Sequence, residues 1–387
     1  MKLADFKTAE ERVAILQDKV SVFAERAYQL DKDDVFPFEN FRDLKEIGYP
    51  SLTIPKKYGG LGISLTEMLK MQEIIAKMDG STALGIGWHM GITKHLGETD
   101  AWEPQKYESV MKDVLTNSAL LNNAASERAT GSPTRGGRPE TTAERTNDGW
   151  LVNGRKTFTT LAPVLSYFIV SASIKGTDKT GNFLVERERD GVSIDETWDS
   201  IAMKGTGSHD LVLDQVKLDD SDFVEELSSE KKPAAGWLLH IPACYLGIAR
   251  AAQETALQFA SSYSPNSIKG TISDIPNVQQ KLGEMELLLM ESEYFLYGVS
   301  EKWDHATIDQ RSEMKPLLGA VKLSVVNKAI EVVDLAMRIN GARSLSSSNP
   351  LQRYYRDVRA GLHNPPMDDM TIIQLASKSI SEFRNNL

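Results

Sequence analysis

The chain has 387 residues, with 44 Lys and Arg against 54 Asp and Glu and a formal net charge of -10 at pH 7. That length exceeds what one hydrophobic core usually serves, so two or three sub-domains are expected. The basic residues are scattered, which argues against nucleic acid or an anionic membrane surface as partner, and no run approaches the roughly 20 apolar residues of a membrane span or forms a secretory h-region.

A cytoplasmic protein acting on a small molecule is therefore expected. The lone cysteine, Cys244, lies in the apolar run Ile241-Pro242-Ala243-Cys244-Tyr245-Leu246, so a buried structural thiol is expected there. The six histidines show no His-x-x-x-His or His-Glu-x-x-His spacing, so no metal site is expected.

The first third reads as helical. Thr8-Ala9-Glu10-Glu11 has capping-box spacing, and Val13, Leu16, Val20, Phe23 and Ala27 then recur at helical intervals. A short helix from Phe38 to Ile47 stops at Gly48. A third starts at Ser64-Leu65-Thr66-Glu67 and runs to Gly80. Between them the glycines of Ile54-Pro55-Lys56-Lys57-Tyr58-Gly59-Gly60-Leu61-Gly62 impose a turn.

From Ser118 to Phe223 the period changes to two. Thr142–Thr146, an Asn147-Asp148-Gly149 turn and Trp150-Leu151-Val152 read as a hairpin, and strands follow at Tyr167–Ala172, Asn182–Val185 and His209–Leu213. The acidic stretch from Asp219 to Lys232 is expected to be exposed. Helices return at Ala234–Tyr263, Val278–Asp304, Lys315–Asn340 and Asp368–Phe383, the makings of an antiparallel bundle. Gly247, Ala249, Ala251 and Ala252 let the first of these approach a neighbour closely.

Several segments then stand in a telling order. They are the Ile54–Gly62 loop, Asn122-Asn123-Ala124-Ala125-Ser126-Glu127-Arg128-Ala129-Thr130-Gly131-Ser132, Asn153-Gly154-Arg155-Lys156-Thr157-Phe158-Thr159-Thr160, and Met203-Lys204-Gly205-Thr206-Gly207-Ser208-His209. In this order they resemble the acyl-CoA dehydrogenase superfamily over essentially the whole chain. The resemblance implies an α+β fold: an N-terminal all-α domain (1–117), a middle β-barrel-like, flavin-binding domain (118–223) and a C-terminal four-helix bundle (224–387). It implies FAD, with FMN as the alternative. It also implies a homotetramer, an acyl-CoA substrate in fatty acid metabolism, and an electron-transfer flavoprotein or flavin reductase as redox partner.

By the same resemblance, Ser126 offers a hydroxyl to the flavin's pyrimidine edge and Gly131-Ser132 allow close approach. Phe158 covers a ring face and Thr160 hydrogen-bonds near the reactive nitrogen. Lys269 stands in for an arginine that meets a dinucleotide's pyrophosphate. The α-proton-abstracting glutamate is absent, because Pro365 and Trp237 occupy its two family positions. Asp368, Asp369 or Glu127 would have to replace it. Leu362-His363-Asn364-Pro365 resembles instead the Leu-His-Asp-Pro of reduced-flavin monooxygenases sharing this fold, with His363, His89 and Asn122 as the expected catalytic group. Three activities are expected from these residues: acyl-CoA dehydrogenation, oxygenation of a small sulfur compound, or silent flavin or acyl-CoA binding.

Overall fold

Thr8 opens the first helix, α1 (Ala9–Asp33), by accepting the Glu11 amide while the Glu11 carboxylate reaches back to the Thr8 amide. Leu16, Val20, Phe23 and Ala27 form its buried face, as the periodicity predicts. The structure is a computed structural model and describes residues 2–130, 137–227 and 234–386. Helices α2 (Phe38–Glu46) and α3 (Leu65–Met78) follow.

The third helix does not simply end at Gly80. Asp79 accepts hydrogen bonds from the Thr82 amide and hydroxyl and starts α4 (Gly80–Thr99), after which α5 (Pro104–Asn117) completes the helical domain. Residues on nearly every side of α4 are buried. A helix buried all round has no amphipathic stripe, and the sequence therefore carries no periodic signal for it.

The middle domain is one eight-stranded sheet with strand path β6-β7-β3-β2-β4-β5-β8, while β1 pairs with β4 alongside that path. Its strands are β1 (Leu121–Ala124), β2 (Thr142–Thr146), β3 (Gly149–Thr159), β4 (Tyr167–Ile174), β5 (Thr180–Glu186), β6 (Val192–Asp195), β7 (His209–Leu218) and β8 (Phe223–Leu227). The ladder between β3 and β7 slips its register between Lys156 and Thr159. Such irregularities bend a strand and re-aim a side chain.

Of the acidic stretch from Asp219 to Lys232, Asp219, Asp220 and Glu226 are exposed as expected, residues 228–232 lie outside the described residues, and the departure is at Asp222. β8 carries the sheet on to Leu227, and Asp222 is buried, paired with Lys106 at 2.5 Å and Arg189 at 3.1 Å. Two cations from distant elements compensate its burial.

The C-terminal domain contains α6 (His240–Ser262), α7 (Pro276–His305), α8 (Ile308–Glu313), α9 (Lys315–Asn340), α10 (Pro350–Arg359) and α11 (Asp368–Asn385). α9 packs on α6, α7, α10 and α11, and α6 also packs on α3 and α4, joining the two helical domains. Gly247, Ala249, Ala251 and Ala252 all lie in the buried face of α6. Cys244 is fully buried and donates to the Gly80 carbonyl at 3.5 Å, and burial raises its thiol pKa. No described helix is long and apolar enough to cross a membrane.

Candidate active site

Phe158 sits at the irregularity in β3 with φ of 55°, a left-handed conformation that costs a non-glycine residue about 1–2 kcal/mol. Its ring is 66% exposed and meets Trp198 edge-on at 5.9 Å. Packing does not repay this conformation, because the ring is mostly in solvent. A left-handed, exposed aromatic at a strand irregularity makes Phe158 a candidate ligand-contact residue.

Beside the ring runs a chain of hydroxyls. Thr160 Oγ1 lies 2.9 Å from Ser208 Oγ, Ser208 Oγ lies 2.9 Å from Thr206 Oγ1, and Thr206 Oγ1 donates to the Met203 carbonyl at 2.9 Å. The Met203 amide in turn donates to Asp357 Oδ1 of α10 at 2.6 Å. Trp198 is fixed to the same loop through its Nε1, which donates to the Met203 carbonyl at 3.3 Å. The shelf on the sheet is thereby tied to the C-terminal domain.

Asn122 and Ser126 reach this shelf from β1 and the loop after it. Asn122 is buried and its Nδ2 donates to the Thr160 carbonyl at 2.9 Å, so it supports the strand and does not stand free as a catalytic group. The Ser126 carbonyl accepts the Thr157 amide at 2.9 Å. Next to it, Glu127 is buried against Lys156 at 2.5 Å and accepts the amides of Glu140 at 2.5 Å and Thr141 at 3.1 Å. Burial works against this carboxylate, but the bonds from Lys156, Thr141 and Glu140 prevail and hold its pKa below the usual range. Glu127 is thus not an available base. Gly131 and Ser132 lie outside the described residues.

His89 requires a correction. It is fully buried, its Nε2 bonds the Pro50 carbonyl at 3.0 Å and its Nδ1 accepts the Leu121 amide at 3.1 Å. Burial lowers its pKa to about 4. With both nitrogens committed to backbone it fastens α4 to β1, and neither remains for a substrate.

The remaining candidates lie in the C-terminal domain. His363 is exposed at the end of a 3-10 turn over Ala360–His363, and its neighbour Asn364 accepts the Tyr245 hydroxyl at 2.6 Å. Asp368, expected as a substitute base, is engaged by Lys322 and by Asn327, each at 3.0 Å. With its two oxygens engaged by Lys322 and Asn327, Asp368 does not stand free as a base, so this role is also corrected. Asp369 accepts the Met370 amide at 2.9 Å. Lys269 is exposed in the connection between α6 and α7. Ser208, Trp198 and Asp357 were not marked by the sequence reading. The Met203–His209 motif contains Ser208 without giving it a role, whereas Trp198 precedes that motif and Asp357 lies on α10.

An exposed aromatic plane bordered by hydroxyls suits a flat heterocycle with a polar edge, and these are the residues that would hold a flavin. Comparison with known proteins gives this geometry a context. Residues 10–107, 122–216 and 239–364 match the N-terminal, middle and C-terminal domains of acyl-CoA dehydrogenase, respectively. YdbM of Bacillus subtilis (strain 168), which carries a provisional acyl-CoA dehydrogenase name, is 50% identical over 95% of this chain and 96% of its own. The 3-(aryl)acrylate reductase of Clostridium sporogenes (strain ATCC 15579) is 28% identical over 86% of this chain and 88% of its own. Among solved structures, FMN-bound TdsC from Paenibacillus sp. A11-2 superposes with a TM-score of 0.85 at 22% identity, covering 96% of this chain and 97% of that one, a likeness of fold. The chain belongs to the acyl-CoA dehydrogenase family.

Proposed function

We propose that this chain is a flavin-dependent oxidoreductase that removes the α and β hydrogens of an acyl-CoA thioester, with FAD as cofactor and FMN as the alternative. The observation that carries the reading is Phe158, exposed and strained beside the Thr160–Ser208 hydroxyl pair. When bound there, a flavin supplies the hydride acceptor. Phe158 and Trp198 would cover its ring, Thr160 would donate to its polar edge, and Asn122 would hold the Thr160 carbonyl in place.

Proton removal is assigned to His363. Pro365 and Trp237 stand at the resemblance's glutamate positions, and Glu127 and Asp368 are engaged by cations. An imidazole nitrogen can act as a general base, and this one is exposed at the end of the turn over Ala360–His363. The exposed apolar rows on α7 and α11 support a homotetramer. An electron-transfer flavoprotein would be the redox partner.

The same histidine supports a second reading, a reduced-flavin monooxygenase supplied by a flavin reductase. The absence of a free carboxylate at the positions just named favours it. Anaerobic mixing with acyl-CoA thioesters separates the two. Bleaching of the oxidised flavin, abolished by His363→Ala without loss of flavin, supports dehydrogenation. Oxygen consumption confined to the chemically reduced enzyme supports oxygenation.

A further inference from the structure

The loop between β6 and β7 borders the shelf and is bonded to itself along its length. The Trp198 amide donates to His209 Nδ1 at 3.1 Å, which ties the start of the loop to its end. Within it, Ser200 Oγ donates to the Ala202 carbonyl at 2.8 Å, and the Trp198 indole and the Thr206 hydroxyl both donate to the Met203 carbonyl. A loop so closed moves as one body.

On the sheet side it grips the residues that follow Thr160. The Thr206 and Gly207 carbonyls accept the Leu161 and Ala162 amides at 2.9 and 3.2 Å, beside the hydroxyl contact between Thr160 and Ser208. A displacement of the loop is therefore a displacement of Thr160.

On its other side the loop is held by α10. Met203 stands in the left-handed conformation, with φ of 53°, where the chain enters the short turn over Lys204–Thr206, and Asp357 Oδ1 accepts its amide at 2.6 Å. A left-handed residue other than glycine persists only where its surroundings hold it. Arg356, next to Asp357, donates to the Ile201 carbonyl, and also to Asp31 Oδ2 of α1 at 2.6 Å. Lys204 Nζ donates to the Asp31 carbonyl at 3.3 Å. All three domains thus meet on this loop.

We propose that Asp357 is a positioning residue for the flavin shelf: its ionised carboxylate holds the Met203 amide and, through the loop, sets Thr160, Ser208 and Trp198 in the arrangement that binds the flavin ring. This role rests on the flavin reading of the shelf. A hydrogen bond to a carboxylate is about twice as strong as one to a neutral acceptor, so protonation of Asp357 loosens its hold on Met203.

The groups around Asp357 bring its proton into a usable range. Burial pushes the carboxyl up to about 6 and Asp31 adds to that push, while the Met203 bond, Arg353 and Arg356 act against it. Asp357 borders a small cleft between α1, the start of α4 and α10, together with Asp79 and Lys204, and Cys244 and Tyr245 feel its charge from α6. Two linkages of opposite sign follow. Folding favours the protonated carboxyl, because burial raises its pKa, whereas flavin binding favours the ionised form that holds the shelf. Flavin affinity should thus fall as pH drops through about 6. A merely structural Asp357 would give flavin affinity no dependence on this proton.

The test dilutes the full chain, loaded with FAD and separately with FMN, at pH 5, 6 and 7, and reads the released flavin by its fluorescence to give Kd. For wild type, Kd should rise about fivefold from pH 7 to pH 5 beyond any rise in Asp357→Asn, as expected if bound flavin lowers this pKa by about one unit. Asp357→Asn keeps an oxygen for the Met203 amide without the charge, so it should bind flavin more weakly than wild type at pH 7. Other groups that titrate in this range contribute to both proteins, and the difference between them isolates Asp357. Flavin uptake by wild type near pH 6 should also release protons, read by calorimetry in two buffers of unlike ionisation heat. Parallel profiles for the two proteins, or uptake without proton release, would overturn the proposal and leave the flavin reading standing. A wild-type chain that takes up neither flavin would refute both.

Discussion

Lys156 Nζ lies 2.5 Å from Glu127 Oε1, and both side chains are buried, so one ion pair fastens β3 to the loop that follows β1. Lys156→Met would strand a buried carboxylate, which typically costs about 3–5 kcal/mol. Glu127→Gln, which retains an acceptor for the Thr141 amide, should cost less. Urea denaturation of both variants checks the order. A Lys156→Met variant as stable as wild type would show that the pair contributes nothing.

Phe158 should trade stability against cofactor retention. Phe158→Gly relieves the left-handed conformation, so folding stability should hold or rise by about 1 kcal/mol. Flavin affinity should nevertheless fall at least tenfold. A fluorescence titration with free flavin measures the affinity, and unchanged binding would remove Phe158 from the site.

Asp357 gives the protein a defined pH response. Burial pushes its carboxyl from 3.8 up to about 6, against the opposing hydrogen bond from Met203 and the nearby charge of Arg353. A raised folded-state value means that the folded chain holds this proton more tightly than the unfolded chain does. The stabilisation is present below about pH 3.8 and is lost as pH rises through about 6. Asp357→Asn should abolish this component. The stability of wild type minus variant should thus fall between pH 4 and 7. Parallel curves would contradict the assignment.

The row Leu287, Met290 and Tyr294 on α7 is exposed, as are Ile372, Ile373, Ile380 and Phe383 on α11. Apolar rows of this kind mark contact surfaces. Light scattering should report a tetramer for wild type and smaller species for Leu287→Asp combined with Tyr294→Lys. A wild-type monomer would refute the assembly.

Much of the helical frame was legible where burial is one-sided. The stripe of α1 and the span Lys315–Asn340 emerge directly from periodicity, and the Thr8 capping box appears as expected. α4 was hidden because it is buried on nearly every side, and α10 because it is short and rich in arginine. Asp222 looked like a surface acid because its partners, Lys106 and Arg189, are far away in sequence. In the site, Phe158 and Thr160 were marked by the order of motifs, whereas Ser208 meets Thr160 only through the pairing of β3 with β7. His89 was misjudged because sequence does not reveal that backbone groups occupy both of its nitrogens.

The most direct measurement is release of the cofactor from natively purified protein by acid, followed by chromatographic identification and quantification. One FAD or one FMN per chain is the predicted result, with Phe158→Ala releasing markedly less. Protein that carries no flavin and takes up neither form on incubation would contradict the assignment of the Phe158 shelf.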